Sequence, residues 1–343
     1  QILFIGWLDD PTEQHLYRVV PGETQVTKLT TDAGWHDVSV NRSGSHFLDR
    51  FTALGNSGEI RLRGVDEGII ETTLHTDDVR APDHPYARYL NCHRQPDLGR
   101  IKAAHGHDLF YRLTQPKAAN GALVVYVYGG PGAQRVRNEW SPLLLQLFVS
   151  RGIGVLELDN RGSANRGRSF ESALYRQLGE AEVQDQLLGV AMAADLDWVD
   201  CERIGVFGHS YGGFMALMCL ARAPEIFKAA VAVAPVSDWA LYDTHYTERY
   251  LGTPAANPEG YLQSSLFPYL KDLRGALLLM HGMADDNVLF THTTRLMHAL
   301  QRQQFPFELM TYPGSKHALQ EPHVSIHRFN RILDFFNREL CTP

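Results

Sequence analysis

The sequence is poor in the features that mark several protein classes. Its 343 residues include four cysteines, Cys92, Cys201, Cys219 and Cys341, whose spacings match no metal-ligand pattern. Net charge is -7 and no run of Lys or Arg forms a basic patch, which argues against a nucleic-acid partner. No apolar stretch reaches the length that crosses a bilayer. No Glu-Glu pair occurs anywhere. Nothing in the sequence implies a metal or any other cofactor. The length suits one large domain with a smaller segment in front.

What is present centres on Gly208-His209-Ser210-Tyr211-Gly212-Gly213. An apolar, strand-like run, Arg203–Phe207, precedes it, and a helix-like run, Phe214–Leu220, follows. A serine between two glycines at a strand-to-helix turn is the nucleophile elbow of α/β-hydrolases. Side chains two positions either side of a serine on so sharp a turn would collide, hence Gly208 and Gly212. The following helix aims its N-terminal amides at the serine, and the amide after it can stabilise an oxyanion.

A serine needs a base at neutral pH, and the base needs an orienting acid. In this fold the chain order is Ser, then Asp or Glu, then His. Gly275–Met280 reads as a buried parallel strand that runs into His281-Gly282-Met283-Ala284-Asp285-Asp286-Asn287. A carboxylate just past a strand's C-terminal end lies where an active-site loop belongs. Phe307–Tyr312 reads as the next strand, with His317 on the loop after it. Of 16 histidines, His317 alone has that loop and that order; His281 is expected to end a strand and brace a turn, and His323 and His327 to be solvated on the final helix. Position alone does not separate Asp285 from Asp286.

Three further segments carry a family resemblance. They are Val125–Pro131, Ala234–Tyr250 with its Tyr-Thr-Glu-Arg-Tyr block, and His281–Val288 with its Ala-Asp-Asp-Asn-Val block. Over residues 100 to 340 the chain resembles the catalytic domain of the prolyl oligopeptidase family, in its dipeptidyl peptidase IV branch. The resemblance implies Ser210 as nucleophile, His317 as base and Asp285 as orienting acid. It implies that the Tyr128 hydroxyl and the Tyr211 amide hold the oxyanion. Val236, Trp239, Tyr242, Tyr246 and Val288 would line the pocket for the residue before the scissile bond, and Asn287 would hold the carbonyl of the substrate's first residue. The spacing agrees: Trp239, Tyr242 and Tyr246 stand three and four apart, which predicts one helix face. Three rings and two valines make a short, flat, apolar slot suited to proline, or to alanine with less contact. Family members carry a dimer interface at this end of the hydrolase domain, so the resemblance also implies a homodimer. It favours a periplasmic or secreted setting, with the cytoplasm left open.

Residues 1–84 differ in character. Short strand-like runs at Ile2–Trp7, His15–Val20 and His46–Phe51 are separated by turn clusters such as Asp9-Asp10-Pro11 and Asn41-Arg42-Ser43-Gly44. This is the rhythm of β-propeller blades, over a length too short to close a ring. With Gln1 rather than Met at the start, the expectation is the C-terminal part of a longer protein: a propeller remnant at 1–84, then an α/β-hydrolase domain at 85–343.

The sequence departs from the family pattern in three places. Paired propeller glutamates recognise the substrate's free amine in dipeptidyl peptidases, and no such pair is present. Some relatives bridge a C-terminal cysteine to one after the nucleophile helix; Cys341 matches the first, but Ala229 replaces the second. His209 stands where the dipeptidyl peptidase branch usually has tryptophan. The expected function is removal of Xaa-Pro or Xaa-Ala dipeptides from free amino termini. An acylaminoacyl-peptidase, an oligopeptidase or an esterase of the same fold are the alternatives.

Overall fold

Apolar runs that are buried on both faces dominate the later part of the chain, and in the computed structural model they form the parallel part of one mixed sheet. The structure describes residues 1–341. Two compact units emerge: Gln1–Leu98 with Val136–Gln146, and Gly99–Arg135 with the chain from Leu147 onward.

The first unit holds two antiparallel sheets. β1 (Ile2–Gly6), β2 (His15–Val19) and β3 (Val26–Lys28) form one, and β4 (Trp35–Val40), β5 (His46–Ala53), β6 (Asn56–Gly64) and β7 (Ile70–Thr76) form the other in meander order. A four-stranded antiparallel meander is the unit from which propeller blades are built. Only three of these seven strands, β1, β2 and β5, stand out as strand-like runs in the sequence. The buried face of β6 explains one omission, because Arg61 and Arg63 occupy it. Arg61 pairs with Glu59 and Asp32, and Arg63 with Asp32 and the fully buried Asp49. Buried charge is tolerated when paired in this way, and no hydrophobic alternation then marks the strand. β7 is exposed along its whole length, so it carries no alternation either.

In the second unit β8 (Asp97–Lys102), β9 (Asp108–Thr114), β10 (Gly121–Tyr126), β11 (Gly154–Leu158), β12 (Val199–His209), β13 (Ala229–Val233), β14 (Ala276–Gly282) and β15 (Glu308–Tyr312) form one sheet. Its order is β15-β14-β13-β12-β10-β11-β9-β8. The six strands from β15 to β11 run parallel, and β9 is antiparallel to β11. The helices are α1 (Leu143–Val149), α2 (Arg168–Glu171), α3 (Ala181–Ala194), α4 (Tyr211–Arg222), α5 (Thr244–Leu251), α6 (Pro258–Gln263), α7 (Thr291–Arg302) and α8 (Pro322–Phe336). Parallel strands joined by helices, with buried stretches such as Ala-Ala-Val-Ala-Val in β13, define the α/β-hydrolase architecture.

α8 ends at Phe336. It gives way at Asn337 to a π-helical turn that runs to Cys341. Phe336 and Leu340 still reach the sheet, where both crowd Gly205 of β12. Phe329 is only half-buried, whereas the neighbouring Phe335 is buried. Cys341 is a free thiol, as are the other three cysteines, and Asn120 Nδ2 lies 3.1 Å from its sulfur.

The turn between β12 and α4 is the tightest feature of the fold. Ser210 has φ +62°, the left-handed region that non-glycine residues seldom enter. A Cβ on Gly208 would stand 2.0 Å from the Gly212 carbonyl oxygen, and one on Gly212 would stand 2.3 Å from that of Val127. Those neighbours are backbone and cannot swing aside. Gly212→Ala is therefore expected to destabilise the protein by more than about 2 kcal/mol. Urea unfolding checks this, and an unchanged midpoint would show that the approach relaxes at little cost.

Candidate active site

Four loops at the C-terminal ends of parallel strands carry the polar groups of interest. Tyr128 follows β10, Ser210 follows β12, Asp285 follows β14 and His317 follows β15. Carboxyl ends of strands are where ligands meet open α/β sheets.

His317 links two of these loops to its own. Its Nε2 lies 2.9 Å from Ser210 Oγ, and its Nδ1 lies 2.7 Å from Asp285 Oδ2. Because a carboxylate only accepts, Nδ1 carries the ring proton, which leaves Nε2 to accept from the serine hydroxyl. Asp285 is enclosed by donors. Its Oδ2 also accepts from His281 Nε2 at 3.1 Å, and its Oδ1 accepts from the amides of Asn287 and Val288 at 2.9 and 3.0 Å. Burial alone would raise this carboxyl, but the bonds from His281, His317 and the Asn287 amide outweigh it and hold the group well below the usual carboxylate range. Asp286 points elsewhere, into an exposed ion pair with Lys316 at 2.6 Å.

Tyr128 and Tyr211 place their rings 6.0 Å apart. Burial pushes the Tyr128 phenol above its ordinary value, so it remains an O–H donor at neutral pH. Tyr211 opens α4, and as the first helical residue its amide has no carbonyl partner one turn back.

The aromatic cluster of Trp239, Tyr242 and Tyr246 is built differently from the helix face that its spacing predicts. Trp239 begins a short 3-10 turn, Tyr242 is extended, and only Tyr246 lies on an α-helix, α5. Two caps split the segment. The Asp238 carboxylate accepts from the Ala240 amide, and that of Asp243 accepts from the Tyr246 amide, so a new helix starts between the rings. The rings still converge: Trp239 stacks on Tyr246 at 6.1 Å, and Tyr242 meets both edge-on at 5.7 and 5.5 Å. Val236 and Val288 are buried in the same cluster. Asn287 is exposed, and its Oδ1 accepts a 2.6 Å bond from the Tyr242 hydroxyl. That bond commits the oxygen and leaves the amide hydrogens of Asn287 to donate outward.

Glu182, which no sequence motif marks, adjoins this site through Tyr211. Its fully buried carboxylate accepts from the Tyr211 hydroxyl at 2.6 Å and from the Gly179 amide at 2.9 Å. In sequence it looks like an ordinary acid in the first turn of a helix. His281 is likewise buried, with Nδ1 at 2.7 Å from the Thr293 hydroxyl and Nε2 shared between Asp285 and the Val288 carbonyl. Among the described residues, no three His, Cys, Asp or Glu side chains assemble into a metal-binding group.

An eight-stranded α/β-hydrolase sheet with a serine elbow and a Ser-His-Asp hydrogen-bond chain defines the class. The particular family follows from comparison. The profile of the prolyl oligopeptidase family matches residues 139–342, and that of the dipeptidyl peptidase IV N-terminal region matches residues 1–57. The chain belongs to the prolyl oligopeptidase family. It is 33% identical to human dipeptidyl peptidase 8 over 99% of this chain and 39% of that protein. Dipeptidyl peptidase family member 1 of Caenorhabditis elegans is 39% identical over 64% of this chain and 28% of its own. The crystal structure of Porphyromonas gingivalis dipeptidyl peptidase 4 superimposes with a TM-score of 0.92 at 27% identity, covering 98% of this chain and 48% of that one. The chain thus spans less than half the length of these relatives.

Burial raises the Glu182 carboxyl to about 7, against the hydrogen bonds from Tyr211 and Gly179 that oppose the rise. The unfolded chain loses this proton near the ordinary carboxyl value while the folded chain keeps it. The contribution of Glu182 to stability therefore falls as pH rises from about 4.5 to about 7, by about 3 kcal/mol. Glu182→Gln cannot ionise. The stability difference between wild type and variant, measured by urea unfolding, is expected to shift against wild type across that window. A difference that stays flat would show that Glu182 titrates normally.

Proposed function

We propose that the protein is a serine peptidase that releases Xaa-Pro or Xaa-Ala dipeptides from free amino termini. The observation that carries this reading is the unbroken hydrogen-bond chain from Ser210 through His317 to Asp285. His317 takes the Ser210 proton as Oγ attacks the scissile carbonyl, and Asp285 steadies the imidazolium that forms. The carbonyl electrons move to the oxygen, which the Tyr128 hydroxyl and the Tyr211 amide receive. His317 then protonates the leaving amine, and water, deprotonated by the same residue, releases the dipeptide from the serine ester.

Substrate choice rests on the aromatic slot. Proline offers a short apolar ring and no amide hydrogen, so the surround of Trp239, Tyr242, Tyr246, Val236 and Val288 leaves no polar atom of it unpaired. The outward-facing amide of Asn287 suits the carbonyl of the residue before. The names of the similar proteins, dipeptidyl peptidase 8 and dipeptidyl peptidase 4, support the same reading. The absence of a Glu-Glu pair keeps a second reading in view, in which blocked or internal peptides are cleaved.

Hydrolysis of Gly-Pro-p-nitroanilide and its N-acetylated twin separates the two. Cleavage of the free amine alone is expected, with Ser210→Ala lowering kcat at least about 10⁴-fold. Equal cleavage of both, or preference for the blocked one, would move the protein to the acylaminoacyl or oligopeptidase branch. A second measurement concerns the slot. Tyr246→Ala is expected to lower kcat/KM for Gly-Pro-p-nitroanilide about 10- to 100-fold, and an unchanged kcat/KM would remove Tyr246 from substrate recognition.

A further inference from the structure

Ser210 and His317 are brought together across a wide gap. Ser210 leaves β12, whereas His317 leaves β15, with β13 and β14 lying between them. Three strand steps at about 4.8 Å make roughly 14 Å of sheet over which errors of position add up. β15 is also the edge strand, with a neighbour on one side only. The His317 loop therefore has less sheet to steady it than the other three.

A second bond, besides that between Ser210 and His317, crosses this gap. His209, the last residue of β12, points its Nε2 at the main-chain carbonyl of His317 at 2.9 Å. A carbonyl only accepts, so Nε2 carries the proton. The two imidazole rings lie 4.9 Å apart, tilted by 36°. On the far side, Arg328 of α8 donates to the Ala318 carbonyl at 3.3 Å. The base is thus gripped at its Nδ1 by Asp285, at its own carbonyl by His209 and at the next carbonyl by Arg328.

We infer that His209 is a positioning residue, whose ring N–H ties the loop that presents the base to the elbow that presents the nucleophile. The inference rests on the Ser210–His317 reading above. It gives a use to the histidine that stands before the serine. The groups that face His209 are His317, Arg328 and Asp285. Burial, helped by the charges of His317 and Arg328, lowers its imidazole to about 4, while the carbonyl bond and Asp285 act the other way. Between pH 5 and 8 the tether is neutral. It acts through geometry, so its loss should lower the plateau of the pH–rate profile and leave the acid midpoint where it is.

Two substitutions test this. His209→Phe keeps a ring beside His317 and deletes the donor; His209→Gln places an amide N–H where Nε2 stood. The phenylalanine variant is expected to lower kcat for Gly-Pro-p-nitroanilide about 10- to 100-fold, the scale of a misplaced catalytic group. KM and the acid midpoint stay unchanged, and the glutamine variant recovers most of the loss. The rate at which a fluorophosphonate labels Ser210 should follow the same order, because it needs the base but no peptide. Equal labelling of wild type and His209→Phe, no recovery with glutamine, or a change in KM alone would overturn the inference. A wild-type protein that labels normally but ignores the anilide sinks only the peptidase reading, and the labelling rates then still decide the role of His209. If Ser210 labels in none of the proteins, both fall.

Discussion

Backbone-to-backbone closeness at one turn governs the rest of this site. α4 starts so near the ends of β12 and β10 that Gly208 and Gly212 have no room for a single carbon. That closeness forces Ser210 to φ +62° and lifts its hydroxyl clear of the sheet, toward the loops of β14 and β15. It also turns the first amides of α4 toward the same space. The strain is local, and it is held in place by buried neighbours on every side: β10, β13 and the interior face of α4 are almost wholly buried. A rigid scaffold around one strained residue is the usual arrangement for a preorganised nucleophile.

Around that turn the polar groups form two layers. The inner layer is Ser210, His317 and Asp285. The outer layer fixes the inner one: His281 and two amides hold Asp285, His209 and Arg328 hold the His317 loop, and Glu182 holds the Tyr211 ring. Each outer contact satisfies a polar group that would otherwise be buried alone, so structural and functional demands coincide. Glu182 shows the cost of such an arrangement, since its carboxyl is desolvated to the point of holding a proton near neutrality.

Legibility from sequence differed sharply between the two units. Parallel strands are legible where both of their faces are apolar, as in the runs Arg203–Phe207 of β12 and Gly275–Met280 of β14, whereas β11 and β13, although buried throughout, are absent from the strands expected of the sequence. The first unit hides β6 because its inward side chains are arginines, which become acceptable in a core only once Asp32 and Asp49 arrive from elsewhere in the chain to join Glu59 of the same strand. The segment from Asp238 to Tyr250 misleads for a different reason. Its aromatic spacing of three and four reads as one helix, yet Asp238 and Asp243 each cap a fresh start, and the rings meet through tertiary packing.

The sequence alone determined the kind of chemistry available: a serine on a glycine-bounded turn, with an aspartate and a histidine following in order on strand-end loops. It could do so because these depend on local rules, namely apolar runs, turn residues and chain order. Chain position left Asp285 and Asp286 open and the family resemblance implied Asp285; the tertiary structure sets Asp285 against His317 and Asp286 against Lys316, and it brought His209, His281 and Glu182 to the site. Those choices depend on contacts between residues far apart in the chain, 107 residues for the serine and its histidine and 108 for His209 and the carbonyl it holds. Whether a buried acid or imidazole braces a site or merely fills space depends on what lies opposite, and no local pattern encodes that.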